Sequence, residues 1–410
     1  MWRNKKTMNK YKLSLLVMVF SAVSAAAGPF VFDPSVNEQI GAKLKIPVFY
    51  AMPESAYSRT ADGITAAAGL WEFRHPGSAG AASPVGLRVY RTQHQDAAKR
   101  LAASGFIQTG DVILTFRPEW GFMGPYPNIQ MGISHAALAV VENGVVSNID
   151  NPLTAEYLGS LDAAHYKESD ALHVIRPRNL SGEQKKNLTG WVGRLSKLAP
   201  KIYPSQISFN QDYTSPKYSG DMNFVKTLGR IALQVDKTDK VNLFCSEFVW
   251  ALLSLRDCDP GRPEAFSGEG TPACIKPIFA PLPMVGDYFL NQRASSARLG
   301  LSDGPLAVIA SMGLPEEEKG RLIHKVFETK RRMSPGHQAV ADSLAPYYLP
   351  LEGYYAGIQA GAPEAVRIMN NFNNSVKPNY SPTAYLVNTL LPEGSEERKM
   401  DMVGTVMFSD

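Results

Sequence analysis

Cys245 stands at the head of an apolar run, Asn242-Leu-Phe-Cys-Ser-Glu-Phe-Val-Trp-Ala-Leu-Leu. The run predicts a helix beginning near Asn242, a suitable N-cap residue, and ending at about Leu255. A thiol in the first turn of a helix meets unpaired backbone N–H groups and the positive end of the helix dipole. Both favour thiolate over thiol. The same N–H groups can hold an oxyanion. This is the setting of a nucleophile; the ordinary alternative is a buried structural cysteine acting as a small hydrophobe. Glu247 falls in the same first turn, where a carboxylate is favourable, and a structural role suits it better.

A thiol nucleophile needs a base. Of the seven histidines, His135 is the best placed: it follows Ser134 and opens a strand of small and apolar residues, Ser134 to Val141. His173, in the run Leu172 to Arg176, is a weaker rival. His75, His94, His165, His324 and His337 sit in polar or loop-like surroundings. Asn143-Gly144 is a strong signal for a two-residue hairpin turn, with Val145 to Ile149 as the return strand. If Glu142 pairs with Val145, Ala137 faces Asp150 and Ala139 faces Asn148. Asp150 then lies one pair diagonally from His135 on the same face, within reach of an imidazole. Asn148 shares that face but lies farther away. Either side chain could fix the histidine tautomer as the third member of a triad does. Polar residues near a strand end are also common without any such role.

The elements that must hold these residues form a series. Thr109-Gly110-Asp111 precedes Val112 to Phe116, a buried-strand pattern; the two hairpin strands follow, and Leu172 to Arg176 reads as a fourth strand. Ser181-Gly-Glu-Gln184 has the form of a capping box, and Leu188, Trp191, Val192, Leu195 and Leu198 recur at helical spacing, which predicts a helix over 182–199. Residues 200–222, rich in Tyr, Pro, Ser and Asn, read as loop. Strands followed by helix, loop and helix make an α+β unit rather than a parallel one. Upstream, Ile46 to Tyr50 and Val85 to Tyr90 are strand candidates, and Gly77 to Ser83 reads as an exposed loop. Downstream of Pro277, helices are expected over 316–329, 338–345, 363–371 and 396–403.

Thr-Gly-Asp-Val-Ile-Leu (109–114), Ser-His-Ala-Ala-Leu-Ala-Val-Val-Glu-Asn-Gly (134–144), Val-Ile-Arg-Pro (174–177) and Phe-Cys-Ser-Glu-Phe-Val (244–249) occur in that order. The set resembles the circularly permuted NlpC-type papain-fold hydrolases, the YiiX-like branch related to lecithin:retinol acyltransferase, over roughly residues 105 to 275. The resemblance implies a papain-like core, with Cys245 as nucleophile, His135 as base and a third polar residue on the return strand. The family often has Glu-Ala at that last place, where this chain has Asp150-Asn151. It also commonly reads Val-Gly after the histidine, where this chain has Ala136-Ala137.

Composition sets the compartment. The formal charge of +4 is concentrated in residues 1–27, which carry Arg3, Lys5, Lys6, Lys10 and Lys12 and no acid. An apolar stretch from Leu13 to Val23 and the small residues Ser24 to Gly28 follow. Together these read as a secretory signal peptide, too short in its apolar part for a spanning helix. Without it the chain has 37 basic and 38 acidic residues, with no basic block, so nothing asks for nucleic acid. Export favours oxidised thiols. Cys258 and Cys274 flank a Pro- and Gly-rich loop whose closure would stabilise by about 3 kcal/mol, leaving Cys245 as the free thiol.

The expectation is therefore an exported, periplasmic or secreted, cysteine hydrolase of α+β class. A papain-like core of antiparallel strands packs on a nucleophile-bearing helix. Its parts are a signal peptide (1–27), an N-terminal lead-in (28–104), a catalytic core (105–277) and a mostly helical C-terminal region (278–410). Cys245, His135 and Asp150 are the candidate catalytic residues. No metal-ligand spacing or cofactor motif is present in the sequence. The expected reaction is cleavage of an amide bond in a peptide or cell-wall fragment; an acyl transferase or lipid esterase on the same site is the alternative, and a non-catalytic binding protein on a degenerate papain-like fold is the reading from another class.

Overall fold

The computed structural model describes residues 64–67, 69–74, 85–116, 133–151, 158–160, 166, 171–209, 222–280, 282–285, 315–317, 320, 376–380, 382–389, 391–392 and 394–408. The expected signal peptide, the strand at 46–50, the loop at 77–83 and the helices at 338–345 and 363–371 lie outside these residues, as does most of 316–329.

Nine strands form one sheet. In chain order they are β1 (Ile64–Ala67), β2 (Leu70–Arg74), β3 (Val85–Thr92), β4 (Val112–Phe116), β5 (Ile133–Glu142), β6 (Val145–Ile149), β7 (Leu158–Ser160), β8 (Ala171–Pro177) and, far downstream, β13 (Met400–Phe408). Their spatial order is β1-β2-β3-β13-β8-β4-β5-β6-β7. Every pairing is antiparallel except that of β13 with β3. Two short ladders stand apart: β9 (Ile207–Phe209) runs parallel to β10 (Val241–Leu243), and β11 (Leu282–Val285) antiparallel to β12 (Val376–Asn379). The helices are α1 (Ala97–Ala103), α2 (Gly182–Ile202), α3 (Asn223–Leu233), α4 (Cys245–Ser254) and α5 (Pro382–Thr389). The class is α+β.

Strand alternation divides the core between the two sheet faces. Val112, Leu114, Leu138, Val140 and Ile175 pack with the apolar sides of α2, α3, α4 and α5. Ile113, Ala137, Ala139, Leu172 and Val174 pack on the other side with α1, Phe106 and Tyr166. The capping box of α2 is formed: the Ser181 hydroxyl accepts from the Gln184 N–H at 3.1 Å, and Gln184 Oε1 accepts from the Ser181 N–H at 2.8 Å. Asp111 of the Gly-Asp motif is buried and takes a two-pronged bond from Arg176 of β8, Nε to Oδ1 at 2.8 Å and Nη2 to Oδ2 at 2.7 Å. It also accepts from the Gln108 N–H at 2.8 Å, so the turn before β4 is tied to its neighbour two charges deep.

Three expectations are corrected. Residues 396–403 are not helical: the chain turns at 396–399 and then runs as β13 between β3 and β8. The charged Glu396-Glu397-Arg398-Lys399 run suits a helix surface, but the apolar residues after it are buried by strands on both sides, and tertiary pairing overrides the local preference. Gly404 lets β13 fit. Its φ is +151°, and a Cβ there would stand 2.6 Å from the Arg88 carbonyl oxygen of β3. Strands β1 to β3 from the N-terminal segment and β13 from the C-terminal one share the sheet with the central strands. The nucleophile helix starts at Cys245, not near Asn242, because Val241–Leu243 is held extended against Ile207–Phe209. That pairing also puts strand β9 inside the expected loop 200–222, and α3 just after it was not anticipated, although Phe224, Val225, Leu228, Ile231 and Ala232 are its buried stripe.

Cys258 and Cys274 are disulfide-bonded and Cys245 is free. The closed loop is seated on the helices: Phe266 packs edge-on against Trp191 with ring centroids 5.5 Å apart, and Arg230 donates to its carbonyl at 2.9 Å. Thiol titration of the denatured, unreduced protein is expected to find one free thiol per chain, and Cys258→Ser with Cys274→Ser to lose about 3 kcal/mol in urea unfolding. Three titrable thiols in the parent protein would refute the pairing.

Candidate active site

The hairpin that carries the histidine has the anticipated register. Asn143 and Gly144 both take positive φ, 52° and 73°, as the favoured two-residue turn requires. Glu142 pairs with Val145, Ala139 with Asn148 and Leu138 with Ile149. Asp150, just past the end of β6, reaches diagonally to His135. Its Oδ2 lies 2.8 Å from Nε2, and both side chains are buried.

Helix α4 brings Cys245 to the same imidazole from the other side. The extended Val241–Leu243 segment delivers the chain, and Cys245 is the first helical residue, buried, with its thiol hydrogen-bonded to His135. With Nε2 turned to Asp150, Nδ1 is the ring nitrogen left for sulfur. The N–H groups of Cys245, Ser246 and Glu247 open the helix without intrahelical acceptors. Glu247 Oε2 meanwhile accepts from the Phe244 N–H at 3.3 Å, a structural role at the start of the helix.

Burial is the largest single influence on His135 and disfavours its charged form. The charge of Cys245, the hydrogen bonds with Asp150 and Cys245 and the charge of Asp150 together outweigh it and push the imidazole up to about 10 from 6.5. Because the folded value is the higher one, the stabilisation is complete below pH 6.5 and fades as pH rises through about 10. NMR of the ring protons is expected to show His135 still protonated at pH 8. Asp150→Ala should lower its midpoint, since that substitution removes both the hydrogen bond and the charge. A His135 midpoint near 6.5 in the parent protein would contradict this electrostatic account.

The other candidates fall elsewhere. Asn148 is buried and lies opposite Ala139 in the hairpin. His173 is buried in β8 with Nδ1 2.8 Å from Thr405 Oγ1 of β13, and burial holds it well below the ordinary histidine value. It joins two strands. His94 stacks on Phe408 at 4.0 Å; His75, His165, His324 and His337 lie outside the described residues.

Three residues at the site had no sequence signal. Tyr166 is fully buried, and its ionisation is opposed first by burial and then by the charges of Asp150 and Cys245. Asn151, fully buried, donates through Nδ2 to the Leu243 carbonyl. Tyr385 of α5 donates to the Ser246 carbonyl at 2.7 Å. All three stand in stretches without periodicity toward the site, and their partners are distant in the chain.

Comparison with known proteins gives no match: no family model, no curated protein and no solved structure is similar to this chain.

Proposed function

We propose that the chain is an exported cysteine hydrolase that cleaves an amide bond in a peptide or cell-wall peptide. The buried row Cys245–His135–Asp150, assembled from the head of a helix, a strand and the end of its hairpin partner, is the observation that carries this reading. A nucleophile, a base within hydrogen-bond reach and a carboxylate orienting that base are the parts an acyl-enzyme mechanism needs. The papain-like resemblance of the motifs supports the same assignment.

In the proposed reaction Cys245 Sγ, as thiolate, adds to the carbonyl carbon, and the oxyanion is taken by the N–H groups that open α4. His135, as imidazolium, gives its proton to the leaving nitrogen; the C–N bond breaks and a thioester remains. Neutral His135 then takes a proton from water, whose oxygen adds to the thioester carbon. The C–S bond breaks, the carboxylic acid leaves, and the thiolate–imidazolium pair is restored. Asp150 holds the ring orientation throughout. A protonated imidazole supplies the general acid that departure of an amine requires.

Export is supported by the signal-like residues 1–27 and by the Cys258–Cys274 disulfide. Among the described residues no helix is long and apolar enough to cross a membrane. An acyl- or epoxide-bearing thiol probe tests the chemistry: Cys245 should be labelled in the parent protein and spared in His135→Ala. Equal labelling of the two proteins would count against a catalytic pair.

A further inference from the structure

Around Cys245 the main chain is held by two buried side chains from outside the helix. Asn151 grips the Leu243 carbonyl on the way in, and Tyr385 grips the Ser246 carbonyl one residue beyond the thiol. Tyr385 is buried, and it belongs to α5, in the C-terminal part of the chain that the motif resemblance does not reach. Within the chemistry proposed above, on which this inference rests, the thiol and its histidine need nothing from Tyr385. The oxyanion donors do.

The peptide unit joining Ser246 to Glu247 is planar, so fixing its carbonyl fixes the direction of its N–H. In a helix that N–H points out of the N-terminal end, past the first turn, where no intrahelical acceptor meets it. A hydroxyl donating to the carbonyl of an amide also polarises that amide and strengthens its N–H as a donor, by about 10–30% per bond. A buried hydroxyl does this in a low-dielectric setting and keeps the terminal turn from fraying. We infer that Tyr385 is a positioning residue for oxyanion stabilisation, acting through the Ser246–Glu247 peptide, and that the C-terminal segment is thereby part of the working site.

Two probes separate this role from a structural one. Iodoacetamide alkylates Sγ by displacing iodide and needs only a thiolate. p-Nitrophenyl acetate acylates Sγ through a tetrahedral oxyanion: the S–C bond forms, the C–O bond breaks, and p-nitrophenolate carries off the electron pair. In Tyr385→Phe, which removes one oxygen and keeps the ring in the core, acylation of Cys245 should slow by about 10-fold or more, a fraction of the ~10²–10³ lost when an oxyanion donor is deleted outright. Alkylation should stay within about twofold of the parent rate, and the thermal unfolding midpoint should show the variant folded. Loss of both reactions in parallel would mean that Tyr385 only supports the fold, and unchanged acylation would overturn its role. If the parent protein alkylates but does not acylate at Cys245, the hydrolase reading itself fails and takes the inference with it.

Discussion

A chain ended after Lys399 is expected not to fold. The nine residues of β13 then removed lie between β3 and β8, pairing from Met400 opposite Pro177 to Met407 opposite Ala171 on one side and from Thr405 opposite Val89 to Phe408 opposite Thr92 on the other. Met400, Met402, Val406, Met407 and Phe408 are all buried. At about 1.5–3 kcal/mol for each fully buried side chain of this kind, their removal forfeits on the order of 8–15 kcal/mol. Whole domains are stable by only about 5–15 kcal/mol. The deletion also opens two unpaired strand edges in the middle of the sheet, a template for aggregation, and strips Thr405 from buried His173. Loss of cooperative urea unfolding, with the protein in the insoluble fraction, is the expected observation. A soluble truncated chain that unfolds at the parent midpoint would show that β13 is dispensable and would separate the C-terminal segment from the core.

The second large effect belongs to His135→Ala, and its size should depend on which reaction is measured. An isolated thiol is only a few per cent ionised at neutral pH. Removing the imidazolium beside Cys245 should therefore slow alkylation at pH 7 by about 10-fold or more, and raising the pH should restore most of it. Turnover of an amide should suffer further, because the variant has no acid to protonate the leaving nitrogen, a contribution of about 10²–10⁴. The combined loss of about 10³ or more should persist at pH 9, where alkylation has recovered. An amidase activity that returned with the alkylation rate would mean that His135 serves only to ionise the thiol. Any amidase activity of the parent protein should fall on the alkaline side as His135 deprotonates near 10.

What could be read from the residues was local. The register of the β5–β6 hairpin follows from Asn143-Gly144, because a two-residue turn leaves one way to pair the flanking strands, and that register sends Asp150 to His135. The helix at 182 announces itself through Ser181 and Gln184, whose bonds lie within one turn. Cys258 and Cys274 bracket a loop with little core of its own, and the disulfide closes it. Each of these depends on residues close together in the chain.

The rest depends on which distant segments meet. Helix α4 begins at Cys245 because Ile207–Phe209 holds the preceding residues extended, a pairing with no mark in the Tyr- and Pro-rich stretch around it. The segment 400–408 becomes a strand because β3 and β8 leave a place between them, and it reads as helix only while its neighbours are unknown. Asn151 and Tyr385 reach the main chain around Cys245 from distant stretches, and a single buried hydrogen bond imposes no periodicity on the chain that makes it. The sequence by itself determined the hairpin and the register that sets Asp150 beside His135, since turn geometry and cross-strand register act over a few residues. Only the tertiary structure decided that the thiol meets the imidazole and that the C-terminal segment fills the sheet and reaches the Ser246 carbonyl, since those contacts exist only once burial has brought remote parts of the chain together.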